Sequence, residues 1–322
     1  MLTSAKSNQL PWAVYNFMLF VFCIVIFWTV GASSFPDYTN YITSAQDGYS
    51  FISEWIPNYL LVFSDLLGGP EERVLFYIIF VQVMLGVIFT TFAIFHPKAS
   101  LMLALYLSLY LPFFMTTAIR ASIAYVIAGI LITLLIDSDK KYWGLGAAVV
   151  ACFFHDSAIF ALSVLLVSYF LGSYFRFDRC LLGAKFVVGV CLILSFVGVE
   201  FIFDDELFGD VGRFVVYLDG GLNSSLKVVY VFLHVYFFLY LLNKIHKNVG
   251  VNVMYYCLTG LVIVSVAAVI NQVVAIRLLP FVLPAGLFIL AKRADEIFGR
   301  QAFFFAPFML VVFLFNFWVL VQ

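Results

Sequence analysis

The feature that most limits what this chain can become is its set of apolar runs, which are long, almost free of charge and spread along its whole length. A helix needs about 20 apolar residues to cover the roughly 30 Å of hydrocarbon in a bilayer. Runs of that kind occur at 12–31, 73–95, 99–117, 119–136, 142–155, 157–174, 185–202, 227–243, 251–270, 274–291 and 302–321. They are continuous rather than alternating with a period of two, so they read as helices and not as barrel strands. Hydrophobic residues make up 65% of the chain and charged ones 11%, whereas an ordinary soluble domain is about a quarter charged. The expected fold is therefore all-α: a polytopic transmembrane helical bundle of about eleven crossings, forming a single integral membrane domain over 1–322. The first run has no small-residue cleavage site behind it and is expected to remain as a helix. The scattered cysteines (Cys23, Cys152, Cys180, Cys191 and Cys257) contain no CxxC pair and read as small packing residues.

The loops between the runs set an orientation. With the amino terminus on the cytoplasmic side, twelve of the seventeen Lys and Arg residues fall on that side, among them Lys98, Lys140, Lys141, Arg176, Lys244 and Lys292. The other side keeps Arg73, Arg120, Arg213, Lys227 and Arg277. This excess is the positive-inside bias and predicts a cytoplasmic amino terminus. The exported side then carries the two longest loops, 32–72 and 203–226, both rich in acidic and aromatic residues. Loops of that length on a helical scaffold are where binding and chemistry concentrate.

One stretch organises the rest. Between 116 and 160, Arg120 opens an apolar run that ends at Asp137, the charged group Asp139, Lys140 and Lys141 follows, and a second run returns to His155. If the two runs form a hairpin across the bilayer, Arg120 and His155 come back to the same side. An ionisable residue at such a position marks a functional site by default. Arg213 and Arg277 join them on the outer face, with Asp37 and Glu54 on the first outer loop. Arginine is permanently charged and offers a planar fork of donors suited to phosphate oxygens. Arginines converging beside apolar walls suit a lipid-linked phosphate or diphosphate, and a histidine or carboxylate nearby can take a proton from an attacking hydroxyl. His96 and His246 read as solvated, and His234 as an interior polar residue or a lining group. No P-loop, GxGxxG, HExxH or GxSxG occurs in a usable context, and the acids 204–206 lack the spacing of a calcium loop.

The order of these residues resembles a known family. Asp37-Tyr38 and Glu54 in an early outer loop are followed by Arg120 with Ala124, then by the His-x-Ser-Ala run of His155, Ser157 and Ala158. The Arg213 to Tyr217 pair and the late Arg277 complete the pattern. Over nearly the whole chain this is similar to the EpsG family of Wzy-like polysaccharide polymerases. The resemblance implies a multi-pass enzyme of the bacterial inner membrane with a periplasmic active face. Such an enzyme is a lipid-diphosphate-dependent glycosyltransferase that joins oligosaccharide repeat units of an O-antigen, capsule or exopolysaccharide. Undecaprenyl-diphosphate-linked oligosaccharide would be both donor and acceptor, with no nucleotide sugar, cofactor or metal. Membrane lipids and a chain-length regulator protein are the other implied partners, and nucleic acid is not one. Arg120, Arg213 and Arg277 would bind the diphosphate. His155 and Glu54 would be catalytic, and Asp37, Tyr38 and Tyr217 would bind substrate. Two alternatives stand beside this reading: a single-sugar glycosyltransferase or acyltransferase modifying a lipid-linked glycan, and a flippase or exporter of such glycans.

Overall fold

The computed structural model describes residues 10–34, 36–46, 66, 68–95, 99–116, 118–197, 224–244, 249–298 and 306–321. Among them regular structure is helical and no strand occurs. The helices are α1 (Leu10–Val30), α2 (Pro36–Gln46), α3 (Pro70–Phe95), α4 (Ser100–Thr116), α5 (Ile119–Tyr125), α6 (Ile132–Asp137) and α7 (Lys141–Phe154). They continue as α8 (Ile159–Tyr174), α9 (Phe177–Val197), α10 (Ser224–Lys244), α11 (Val251–Ile270), α12 (Gln272–Phe298) and α13 (Ala306–Val321). A π-helical segment, Val126–Leu131, joins α5 to α6. Short 3₁₀ turns follow α1 at Ala32–Ser34 and α7 at Asp156–Ala158.

The described residues are all-α, and among them are five helical stretches long and apolar enough to cross a membrane: Pro11–Val30, Pro70–Phe92, Asp156–Tyr174, Val251–Ile270 and Val274–Ala294. The last two form the centre. They are 67% and 72% buried inside the molecule, against 22% for Pro11–Val30 and 28% for Asp156–Tyr174, which lie at the rim. The centre is tight because small residues let helix backbones approach. Gly260 of α11 lies against Val282 of α12 so closely that a β-carbon there would sit 2.5 Å from the valine side chain. Gly129 of the π segment faces α12, where a β-carbon would meet Pro284 Cγ at 2.8 Å and the Pro280 carbonyl oxygen at 2.9 Å.

Two prolines inside α12 would leave that centre with a backbone defect. Proline has no N–H, so Pro284 cannot bond the carbonyl four residues earlier, which is that of Pro280. The Tyr106 hydroxyl of α4 donates to this oxygen at 3.0 Å. Tyr256 of α11 reaches the carbonyls of Ala128 and Phe281, at 3.4 and 3.3 Å. Tyr106 thus satisfies the carbonyl that proline leaves without its helical donor, as a water-poor interior requires.

At the opposite end of these helices, Lys292 pairs with Asp137 at 2.9 Å. Asp137 also accepts from the Gly250 amide at 3.3 Å, and Asp139 accepts from Asn252 at 2.9 Å. This clasp ties the ends of α6 and α12 to the start of α11.

The helices follow the apolar runs, with three informative differences. The stretch 32–72, expected as an outer loop, contains α2, which starts with Pro36 at a first-turn position suited to its fixed φ and packs on α3 through Tyr41 and Tyr77 (ring centroids 5.9 Å apart). Helix α9 begins at Phe177 rather than at 185, because Asp178 in its first turn suits a helix start although charge makes the same turn look like loop. The hairpin of 119–136 and 142–155 forms as expected, but a π segment interrupts the middle of its first arm.

Candidate functional site

His155 ends α7 in an extended conformation (φ −159°, ψ 133°) and caps the 3₁₀ turn that follows. Its Nδ1 accepts from the Ser157 backbone N–H at 3.1 Å and lies 2.7 Å from Ser157 Oγ. A backbone N–H can only donate, so Nδ1 presents its lone pair there, and the neutral ring carries its proton on Nε2. The Ser157 hydroxyl then points its proton at the same lone pair. The short fifth run therefore has a physical reason: the chain breaks at His155 between two helices, and the imidazole is half-buried in the break.

Arg120 occupies the first turn of α5, just past the break after α4. The break is closed by the Ala118 amide, which donates to the Phe113 carbonyl at 2.9 Å. Helix α5 packs against both α7 and the Asp156–Ala158 turn. Arg277 stands near the start of α12 and is exposed. The preceding Asn271 is the single residue between α11 and α12, and its side chain accepts from the Val274 amide at 3.1 Å. That bond caps α12 and sets where the helix bearing Arg277 begins.

An aromatic floor joins the three positions. Phe281 lies 4.5 Å from Tyr125 and 6.0 Å from Phe160, between ring centroids. All three rings are buried, Phe281 completely. Tyr125 lies just over one helical turn beyond Arg120, Phe281 just over one beyond Arg277, and Phe160 follows His155 by a similar stretch of chain. Arg120, His155 and Arg277 are therefore carried to the same end of the bundle, over one set of rings. The Lys292–Asp137 clasp marks the other end.

Of the remaining candidates, Tyr38 lies on α2, half-buried, and its phenol is pushed above the usual range by burial, with Glu71 and Glu72 at the start of α3 adding to the shift. Asp37 lies on the same helix. Glu54, Arg213 and Tyr217 lie outside the described residues, as do the acids 204–206. Among the described residues no three His, Cys, Asp or Glu side chains come together as metal ligands would. His234 of α10, partly exposed, bonds the Tyr230 carbonyl of its own helix at 2.8 Å.

Two parts of this arrangement escaped the sequence reading. The aromatic floor draws on three separate runs, and in a chain with 39 phenylalanines no single one stands out. The break between the runs 251–270 and 274–291 was read, but not the part Asn271 plays in it, although an asparagine before an apolar run is a helix-start signal. Comparison with protein-family models, with curated proteins and with solved structures found no significant match.

Proposed function

We propose that the protein is a polysaccharide polymerase of the bacterial inner membrane, with about eleven crossings and its amino terminus in the cytoplasm. In this reading it joins undecaprenyl-diphosphate-linked repeat units on the periplasmic side. The observation that carries the proposal is the gathering of Arg120, His155 and Arg277 at one end of the bundle over the Tyr125–Phe281–Phe160 floor. These are three separate elements of the EpsG-like motif order.

In the reaction, a hydroxyl of the acceptor sugar attacks the anomeric carbon of the donor. The bond from that carbon to the diphosphate oxygen breaks, and the hydroxyl loses its proton. Negative charge grows on the departing diphosphate. Arg120, Arg277 and Arg213 stabilise it, because fixed positive donors act most strongly where charge develops. The proton goes to His155. Since the free lone pair of the neutral ring is on Nδ1 and Ser157 occupies it, the proton arrives through the Ser157 hydroxyl: Ser157 passes its own proton to Nδ1 and takes up the one from the sugar. Glu54 is the second candidate for this role, and Asp37, Tyr38 and Tyr217 hold the sugar units.

Purified protein incubated with synthetic lipid-diphosphate repeat units, without nucleotide sugar, tests the reading by product size. A ladder rising by whole repeats is the expected result. Addition of one group and no more would assign a modifying transferase, and unchanged substrate would refute the polymerase.

A further inference from the structure

At the end of the bundle that carries the Lys292–Asp137 clasp, two turns hold more positive charge than their own carboxylates balance. The first, at the start of α7, bears Lys140 and Lys141. The second, between α8 and α9, bears Arg176, and Arg179 follows in the first turn of α9. All four side chains are exposed. Asp139 and Asp178 are the acids of the same turns, so four cations stand against two carboxylates. Lys292 is taken up by Asp137 at 2.9 Å. Among the described residues, none of the four cations comes within ion-pairing distance of a carboxylate.

The fold brings the two turns together. Tyr169 of α8 donates to the Lys141 carbonyl at 3.2 Å, and Lys141 Nζ stands 5.7 Å from the centre of the same ring. The start of α11 then bridges both turns. Asn252 donates to Asp139 at 2.9 Å, next to Lys140, and Tyr255 donates to the Phe175 carbonyl, next to Arg176. These two anchors are three residues apart on one helix, about 4.5 Å along its axis. The lysine turn and the arginine turn therefore adjoin, and long side chains from both can reach one anion.

The surroundings say which anion. The apolar span of α8 closes at Tyr174 and that of α11 opens at Val251, so both turns lie at the limit of the hydrocarbon and not inside it. Beside the cations, Tyr142, Trp143 and Tyr174 are 89%, 73% and 73% exposed. Exposed rings at the end of a span sit at the level of lipid headgroups. Below them, exposed apolar side chains continue along α7 at Val150 and Phe153 and along α8 at Leu166 and Phe170. Phe170 and Tyr174, with ring centroids 4.9 Å apart, carry that wall up to the level of the headgroups. Unpaired positive charge above an apolar wall complements a lipid with a negative head and acyl chains. We infer that the two turns bind the phosphate of an anionic phospholipid, whose chains lie on the exposed faces of α7 and α8. A soluble anion would use the cations but neither the rings nor the wall. The site is separate from the proposed catalytic end, and it rests neither on the polymerase reading nor on which side of the membrane this end faces.

Native mass spectrometry of the full-length protein, titrated with phosphatidylglycerol and with phosphatidylcholine of the same chains, tests the inference. Each Lys or Arg at a membrane surface contributes about 5-fold to the attraction of an anionic lipid. Phosphatidylglycerol should therefore bind tighter than phosphatidylcholine by about 10-fold or more. The double variants Lys140→Gln with Lys141→Gln, and Arg176→Gln with Arg179→Gln, should each weaken phosphatidylglycerol by about 5- to 25-fold. Phosphatidylcholine binding and helical content should stay as they are, since all four side chains are exposed. Lys244→Gln removes the exposed cation that ends α10 shortly before α11 begins, outside the two turns, and should leave the preference in place. Equal binding of the two lipids by the wild type would overturn the inference, and so would a preference that survives both double variants. A loss in Lys244→Gln as large as in either double variant would reduce the site to diffuse surface charge. Glycerophosphoglycerol, the same headgroup without chains, binding as tightly as the lipid would assign the turns to a soluble phosphate ester instead.

Discussion

Tyr106→Phe removes one oxygen from the centre of the molecule and leaves the ring where it is. The ring packs on Tyr110 and Phe114, with centroids 5.2 and 5.6 Å away, and Tyr106 has no exposed surface, so packing should survive. What is lost is the donor to the Pro280 carbonyl, which Pro284 cannot supply. Leaving a buried carbonyl unpaired costs about 1–3 kcal/mol in soluble proteins. Side-chain hydrogen bonds inside membrane proteins measure lower, up to about 1.7 kcal/mol. An expected loss of about 1–2 kcal/mol follows, a shift of about 5–30-fold in the folding equilibrium. The same change made on a Pro284→Ala background should matter far less, because the alanine N–H can pair with the Pro280 carbonyl through the regular helix bond. The assay is reversible unfolding in mixed micelles, followed by tryptophan fluorescence, for all four members of the cycle. The coupling between the two sites should be about 1 kcal/mol or more. Additivity within about 0.3 kcal/mol would refute the claim that Tyr106 stands in for the amide missing at Pro284.

Other predictions concern topology and the site. A reporter fused after Ser138 should be cytoplasmic and one after Asn223 periplasmic, as enzymatic topology reporters would read directly; both on one side would break the crossing order. Arg277→Lys and Arg120→Lys keep the charge and lose the fork, so polymerisation should fall sharply while insertion and purification are unchanged; near-normal ladders from both would make them interface anchors. His155→Asn keeps an acceptor close to Nδ1 and so the cap on Ser157, but it cannot take a proton. Its turnover should drop roughly 100-fold with thermal stability nearly unchanged. Full turnover in that variant would move the base to Glu54, where Glu54→Gln is the next measurement.

The sequence made the helices legible because a bilayer demands one simple property, a sustained apolar run, and the chain displays it openly between 251 and 291. The helical hairpin that carries Arg120 and His155 was legible for the same reason, since two runs separated by Asp137–Lys141 have little choice but to fold back. Positions inside a run were much harder to read. Hydropathy does not distinguish Val126–Leu131 from the α-helix on either side, although its backbone pairing differs. Nor does it say that Tyr106 will meet Pro280, two residues far apart in sequence whose contact depends on how α4 and α12 cross.

The π segment has a consequence for register. Along an α-helix each residue turns the chain by about 100° and advances it about 1.5 Å. A π turn accommodates one residue more than the α turn it replaces. Deleting any one residue of Val126–Leu131 would let the segment revert to ordinary helix, with the length below Thr133 untouched and the Asp137–Lys292 clasp still closed. The turn would still close once about the axis, so α5 would keep its sector while the chain between it and Ile132 became one peptide unit shorter. The π turn thus hides a single inserted peptide unit from the rest of the fold, and an alignment would score it as a gap in a featureless hydrophobic stretch.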